Sequence, residues 1–240
     1  MIVYIIGLLE RDLEIYFNYA YPCFQQRNSL VIEISAKGCN DTLAMQYNQG
    51  IQKLLNEQSQ NIELVVFLHP DVIILDDDFE QKILSAFAEN PQVGLVGTLG
   101  STYLPENGAW WSAKSASLRG HIIQEYEDKP TNHMIKGSIG YYDDLLCVDG
   151  LFMAIRTSLL NQGLRFDETF PNYHFTDIDI CFSVLKLGFK VAVIDTLMLH
   201  KSEGKRADDI EWHQNKEILF KKWKQNNSVC DSITLHDLKN

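Results

Sequence analysis

Glu63-Leu64-Val65-Val66-Phe67-Leu68-His69-Pro70-Asp71-Val72 carries five consecutive apolar residues into an imidazole, a proline and a carboxylate. A short apolar run rich in β-branched and aromatic residues reads as a strand buried on both faces. Proline lacks the ladder donor, so pairing stops at Pro70 and leaves His69 and Asp71 just outside the sheet. Ligands of open α/β sheets bind at that carboxyl rim. A hard carboxylate oxygen beside an imidazole suits a divalent cation there. The plainer reading is a strand that ends in a Pro-Asp turn, and the surrounding chain has to choose.

Working back from this strand, Met1-Ile2-Val3-Tyr4-Ile5-Ile6-Gly7 is apolar but short. It has no basic n-region and soon meets Glu10, Arg11 and Asp12, so it predicts a first strand and not a signal peptide. Leu13, Tyr16, Phe17, Ala20 and Phe24 recur at helical spacing and predict a helix over residues 11–25, bent near Pro22. A second strand is expected over Ser29 to Ser35, and after a loop Asn40 or Asp41 caps a helix with Leu43, Tyr47, Ile51 and Leu54 inward. Gln58-Ser59-Gln60-Asn61 breaks that helix. Past the central strand, Asp76-Asp77-Asp78 precedes a helix carried by Phe79, Ile83, Leu84 and Phe87 to Asn90-Pro91. Acids at such a start complement the helix dipole far more often than they bind metal. Val93-Gly94-Leu95-Val96-Gly97 is the next strand, completing β-α-β-α-β-α-β. That order predicts an α/β fold with a mostly parallel central sheet flanked by helices. The G-x-x-G-x-x-G of Gly94, Gly97 and Gly100 has the wrong spacing for a dinucleotide fingerprint, and no helix follows it.

Residues 98–147 lose the period and read as a long irregular segment, which in a compact domain is usually functional. Trp110-Trp111 there suits stacking on an apolar sugar face, although pinning a loop to the core is the commoner job of such residues. Leu146 to Ile155 returns to a strand interrupted by Asp149-Gly150, where a bulge or a close backbone approach to a ligand is expected. A short helix is expected near Thr157 to Asn161. Another begins at Asp177-Ile178-Asp179 and stops at Gly188, and a strand from Phe189 to Ile194 leads towards His200. Helical residues two apart point roughly 200° from each other, so Asp177 and Asp179 cannot share one job. Asp177, nearer the helix start, is the candidate for the open side. Asp208 and Glu211 form a capping box for a C-terminal helix ending near Trp223, and a loosely held tail follows from Gln225.

Asp plus Glu outnumber Lys plus Arg by 32 to 21, a formal charge of -11, which disfavours nucleic acid as a partner. The 5 cysteines are scattered without a CxxC pair, pointing to reduced thiols in a cytoplasmic protein. No apolar run approaches the ~20 residues of a membrane helix. The expected organisation is one domain over residues 1–224 and a tail over 225–240. Within it, residues 1–97 form a ligand-binding half, 98–204 a second half, and 205–224 the C-terminal helix.

Several segments, in order over most of residues 30–204, resemble a GT-A glycosyltransferase of the family 2 type, particularly the small domains of bacterial sugar-biosynthesis clusters. Ala44-Met45-Gln46-Tyr47-Asn48-Gln49-Gly50-Ile51 is similar to the family's Asn-x-Gly-Ile helix, and Phe67 to Val72 to its DxD-bearing strand. Val148 to Arg156 resembles its donor-side strand. Phe166-Asp167-Glu168 and Asp177 to Gly188 look like its Phe-Asp-Glu and acidic catalytic segments, and His200 falls where such enzymes often carry a metal-binding histidine. His69 replaces the first acid of DxD, Ser35-Ala36-Lys37-Gly38 replaces acids near the nucleotide base, and Gly7-Leu8-Leu9-Glu10 lacks the usual first loop.

The resemblance implies inverting transfer of a sugar from a nucleotide-diphosphate donor to a glycan, lipid-linked or small-molecule acceptor. It assigns Ser35, Asn48, Asp71, Asp149 and Gly150 to the donor and Asp71, His200 and His69 to a Mn2+ or Mg2+ ion. Asp177 is the base, with Asp179 as the alternative. The other reading is a GT-A domain that has lost catalysis and serves as a sugar-nucleotide-binding or scaffold protein. A nucleotidylyltransferase fits less well, since no Gly-rich, basic loop follows the first strand.

Overall fold

The computed structural model describes residues 1–27, 29–36, 41–56, 62–126, 133–171, 173–202 and 210–224. Lys37 to Asn40, the helix break at Gln58 to Asn61, Asp208 of the capping box and the tail from Gln225 lie outside them. β1 (Ile2–Leu8) is buried throughout and pairs in parallel with β2 (Leu30–Ser35) on one side and β3 (Leu64–Leu68) on the other. Between β1 and β2 run α1 (Leu13–Ile15), a π segment (Tyr16–Ala20) and α2 (Tyr21–Arg27). Pro22 has no N–H to offer the carbonyl one turn back. The wide turn before it, in which the Tyr21 N–H reaches the Tyr16 carbonyl, absorbs the misfit. α3 (Leu43–Asn56) lays Tyr47, Ile51 and Leu54 on the sheet. It comes close because a Cβ at Gly50 would overlap the Ile5 side chain.

All five residues of β3 are buried, and the strand ends at Leu68. The chain turns through His69-Pro70-Asp71 and starts β4 (Val72–Ile74), which belongs to a different sheet. α4 (Phe79–Glu89) and β5 (Val93–Gly97) follow. Of the three acids before α4, Asp76 and Asp78 both pair with Lys82, at 2.6 and 3.1 Å.

The expectation of an irregular segment over residues 98–147 is overturned. It contains β6 (Leu99–Ser101), β7 (Leu118–Tyr126), β8 (His133–Lys136), β9 (Tyr142–Leu145) and β10 (Cys147–Val148), with 3-10 turns at Trp110–Ser112 and Ser115–Ser117. β7 alternates buried and half-buried side chains, but Gly120 and Gln124 occupy inward positions. The apolar period of two is therefore missing from its sequence. β11 (Phe152–Arg156), α5 (Thr157–Asn161), α6 (Thr176–Lys186), β12 (Lys190–Val193), β13 (Met198–Ser202) and α7 (Ile210–Lys224) complete the described chain.

The main sheet has the order β2-β1-β3-β11-β5-β12-β9. β2, β1 and β3 are mutually parallel, as are β5 and β12, but β11 runs antiparallel to both its neighbours and β9 antiparallel to β12. The α/β class stands, and the sheet is mixed instead of mostly parallel. β11 enters from the second half of the chain and not through a helical crossover, so nothing forces it parallel. A second sheet has the order β10-β6-β7-β13-β4, with β8 on β7. The strand expected over Leu146 to Ile155 is thus two strands, and Asp149 to Leu151 is the turn that carries the chain between sheets.

α7 is fastened to α6 by a buried polar clasp. Asp179, 1% exposed, accepts from the Trp223 indole N–H at 2.8 Å and from Lys222 at 2.9 Å, while Lys222 also meets Asp167 at 2.6 Å. Burial works against the Lys222 charge, but Asp179 and Asp167 outweigh it and raise its pKa, whereas at the more deeply buried Asp179 burial outweighs Lys222 and Trp223 and raises the carboxyl. Replacing Asp179 by Asn should lower stability by about 2–3 kcal/mol in urea unfolding. That is less than the ~3–5 kcal/mol usual for breaking a buried pair, because Asp167 still faces Lys222.

Candidate active site

β4 and β13 pair antiparallel with His200 opposite Val72, and the Lys201 N–H donates to the Asp71 carbonyl at 2.9 Å. This register draws His200 beside the carboxylate that Pro70 has released from the sheet. His200 Nε2 lies 3.4 Å from Asp71 Oδ2, and ligand atoms of His69, Asp71 and His200 all fall within 4.8 Å of one another. β7 runs parallel to β13 and sets Gln124 beside His200. The Gln124 amide nitrogen donates to the His200 carbonyl at 3.2 Å, which orients the amide so that Oε1 accepts from His200 Nδ1 at 3.0 Å. Nδ1 therefore carries the proton and Nε2 is turned to Asp71, the arrangement of a metal-ligating histidine. Asp71 Oδ1 is buried without a hydrogen-bond partner among the described residues. An orphaned carboxylate oxygen on a residue grouped with two imidazoles fits a divalent cation.

The charges follow from the same contacts. Burial pushes the Asp71 carboxyl up, but His200 and His69 outweigh it and hold it below its usual value. Burial likewise disfavours the charged form of His200, but Asp71 outweighs it and favours a proton on Nε2, which a bound cation would displace. His69 is lowered, by burial first and then by His200, with Asp71 opposing. Its imidazole stays neutral and keeps a lone pair for a ligand.

His69 also links this cluster to a second one. Its backbone N–H donates to the Leu151 carbonyl at 3.0 Å, tying the end of β3 to the turn that carries Asp149 and Gly150. The Gly150 N–H donates to Asp177 Oδ2 at 3.1 Å, and a Cβ on Gly150 would come 3.0 Å from the Asp177 Cβ. The close approach expected at Gly150 is thus made by Asp177. α6 begins after Phe175, which sits at φ 68°, a left-handed conformation costing of order 1–3 kcal/mol for a non-glycine residue. Its buried ring, 4.4 Å from that of Trp212, holds it there. Burial, then Asp149, raise the Asp177 carboxyl to about 7. His69, Asp149, Gly150 and Asp177 line one cleft with Trp111 and Trp212.

The remaining candidates are placed elsewhere. Asp179 is in the α7 clasp. Asn48 spends its amide on the backbone of Phe166, at 2.9 and 3.0 Å, and on Glu168 at 2.8 Å, pinning that loop to α3. Ser35 is exposed at the carboxyl end of β2, on the same rim as His69 but in neither cluster. Trp110 is buried, as a residue that pins a loop to the core is, while Trp111 is 45% exposed beside the cleft. Gln124, Phe175 and Trp212 were not singled out from the sequence. For Gln124 the sequence held no signal, because the strand that gives it an inward register lacks the apolar period of two.

A family model described as Glycosyltransferase like family matches residues 25–230. Among solved structures, the fold is similar to that of GalNAc-T7 with UDP, GalNAc and Mn2+, at a TM-score of 0.58 and 8% identity. That likeness covers 94% of this chain and 49% of the other, so the chain spans about half the length of GalNAc-T7. A197 from STIV is also matched, with a TM-score of 0.48, 12% identity, and coverage of 83% of this chain and 84% of that one. The curated proteins contain no match. The fold is that of the GT-A enzymes, and with most of its length inside the family match the chain belongs to the Glycosyltransferase like family.

Proposed function

We propose that this protein moves a sugar, with inversion, from a nucleotide-diphosphate donor to an acceptor hydroxyl. The observation that carries this reading is a cleft lined by His69, Asp149 and Asp177, in which His69 also belongs to a cluster with Asp71 and His200 and the Asp177 carboxyl is raised to about 7. His69, Asp71 and His200 would hold the divalent cation, and two imidazoles in a set of three favour Mn2+ over Mg2+. Such an ion supplies Lewis-acid stabilisation to the charge that develops on the leaving diphosphate. Gln124 keeps the His200 Nε2 lone pair aimed at that site. Asp149, between the two clusters, contacts the donor sugar. Asp177 takes the acceptor's proton, and Gly150 and the Ile178 N–H, at 3.1 and 2.9 Å, fix its carboxylate. Asn48 acts by positioning the Phe166 loop. Cys147 and Cys181 are buried and unbridged, in keeping with a reducing cytoplasm.

Thermal unfolding with Mn2+ and a panel of UDP-, GDP- and dTDP-sugars tests the donor site. A donor at a hundredfold excess over Kd should raise Tm by roughly 5–10 °C, and Asp71→Ala should remove the Mn2+ dependence. No response to any donor would sink the transferase reading.

The Asp177 pKa makes a second prediction. Below pH 7 the carboxyl keeps its proton and cannot accept another; above it the base is free. The log of kcat/KM should climb with a slope near one as pH rises and level off above about 7. Asp149→Asn removes a neighbouring negative charge, so it should move the acid limb to lower pH while slowing the reaction. An unmoved limb would reassign the base.

A further inference from the structure

We propose that the aromatic wall beside Asp177 is the acceptor subsite, and that it receives the uncharged C–H face of a saccharide. This rests on the transfer reading above and names the acceptor class that reading leaves open. The wall is assembled from three distant segments: the 3-10 turn at Trp110–Ser112, the approach to α6, and α7. Trp110 is buried, and the rings of Trp110 and Trp111 meet edge to face at 5.6 Å. Trp111 meets Trp212 in turn at 5.2 Å, and Trp212 is fixed by its indole N–H on the Asn107 carbonyl at 3.0 Å. Phe175 and His174 close the far side of Trp212 at 4.4 and 5.1 Å. Trp111 is thus held by its neighbours and still 45% exposed, at the mouth of the cleft whose floor holds Asp149 and Asp177.

An exposed, held indole at a cleft mouth offers dispersion to a flat apolar partner. The floor asks for something different, because two carboxylates need donors and reject apolar matter. A saccharide meets both demands, with a C–H face for Trp111 and hydroxyl edges for the acids. Among the described residues that line the cleft there is no lysine or arginine. A phosphate or carboxylate on the acceptor near the reacting hydroxyl would face Asp149 and Asp177 with no lysine or arginine among these residues and would compete with the donor diphosphate for the cation, so the reacting residue of the acceptor is taken to be neutral. In the step itself the acceptor hydroxyl gives its proton to the Asp177 carboxylate. Its oxygen bonds the donor's anomeric carbon, and the bond from that carbon to the diphosphate oxygen breaks, the electron pair leaving with the diphosphate.

Tryptophan emission would be titrated with neutral trisaccharides built from glucose, galactose or N-acetylglucosamine, and with a uronic-acid trisaccharide, each with and without Mn2+ and UDP. At least one neutral trisaccharide should give a saturable change. Trp111→Ala should weaken it about tenfold and Trp111→Phe about threefold or less, since a smaller ring still stacks. The uronic-acid trisaccharide should not bind. The proposal is overturned if no neutral trisaccharide changes the emission, if Trp111→Ala binds as the wild type does, or if the acidic sugar binds better. Saccharide binding that depends on Trp111 in a protein that responds to no sugar nucleotide would uphold the subsite and overturn the transfer reading instead.

Discussion

The site depends on the central strand stopping where it does. Leu64 to Leu68 are buried between β1 and β11, and Pro70 removes the donor that would carry the ladder on. The released backbone is caught at once by β13, with Val72 opposite His200 and the Asp71 carbonyl bonded to the Lys201 N–H. A ladder running three residues further would keep Asp71 in the main sheet. β4 would then have no free edge to offer, and His200 would end on a separate strand with no carboxylate beside it. One proline thus divides the molecule into two sheets and places the histidine-carboxylate cluster at their junction.

Local features of this kind are legible in sequence. The proline, the buried run before it and the two polar side chains around it lie within ten residues, and placing His69 and Asp71 at the rim needs nothing else. The strand-helix alternation up to Gly97 is read in the same way, because β1 and β2 are each followed by helix and β3 is separated from α4 only by the three-residue β4. β11 and β7 escape the reading for two different reasons. The direction of β11 is set by the side from which a long excursion returns, which periodicity does not record. The inward face of β7 carries Gly120 and Gln124 because a neighbouring backbone and the His200 imidazole occupy the space that apolar side chains would fill. A strand written around a polar contact loses the signature by which strands are recognised.

Asp177 and Asp179 show how far helix geometry goes before tertiary structure is needed. Spacing alone says that they diverge. Which one meets the cleft is decided by α7, whose Lys222 and Trp223 take Asp179 and thereby set the rotation of α6 about its own axis. Asp177 is then delivered to Gly150, where only the lack of a side chain lets the carboxylate reach the backbone N–H. The glycine that looked like room for a ligand is room for a side chain that the proposed reaction uses.

Burial acts on all the carboxylates gathered here, and their neighbours push them apart. Asp71 faces two imidazoles and stays ionised; Asp177 faces Asp149 and is raised to about 7. Two residues of one chemical type are thereby fitted for opposite tasks, one to remain an anion for a cation and one to exchange a proton near neutral pH. The same crowding constrains what the cleft accepts. A protein of formal charge -11 with Asp71, Asp149 and Asp177 converging on one region repels a diphosphate unless a cation stands between them. The orphaned Asp71 oxygen, the neutral His69 and the oriented His200 Nε2 are what such a cation requires, so the acids that would exclude the donor are also those that make its binding conditional on the metal.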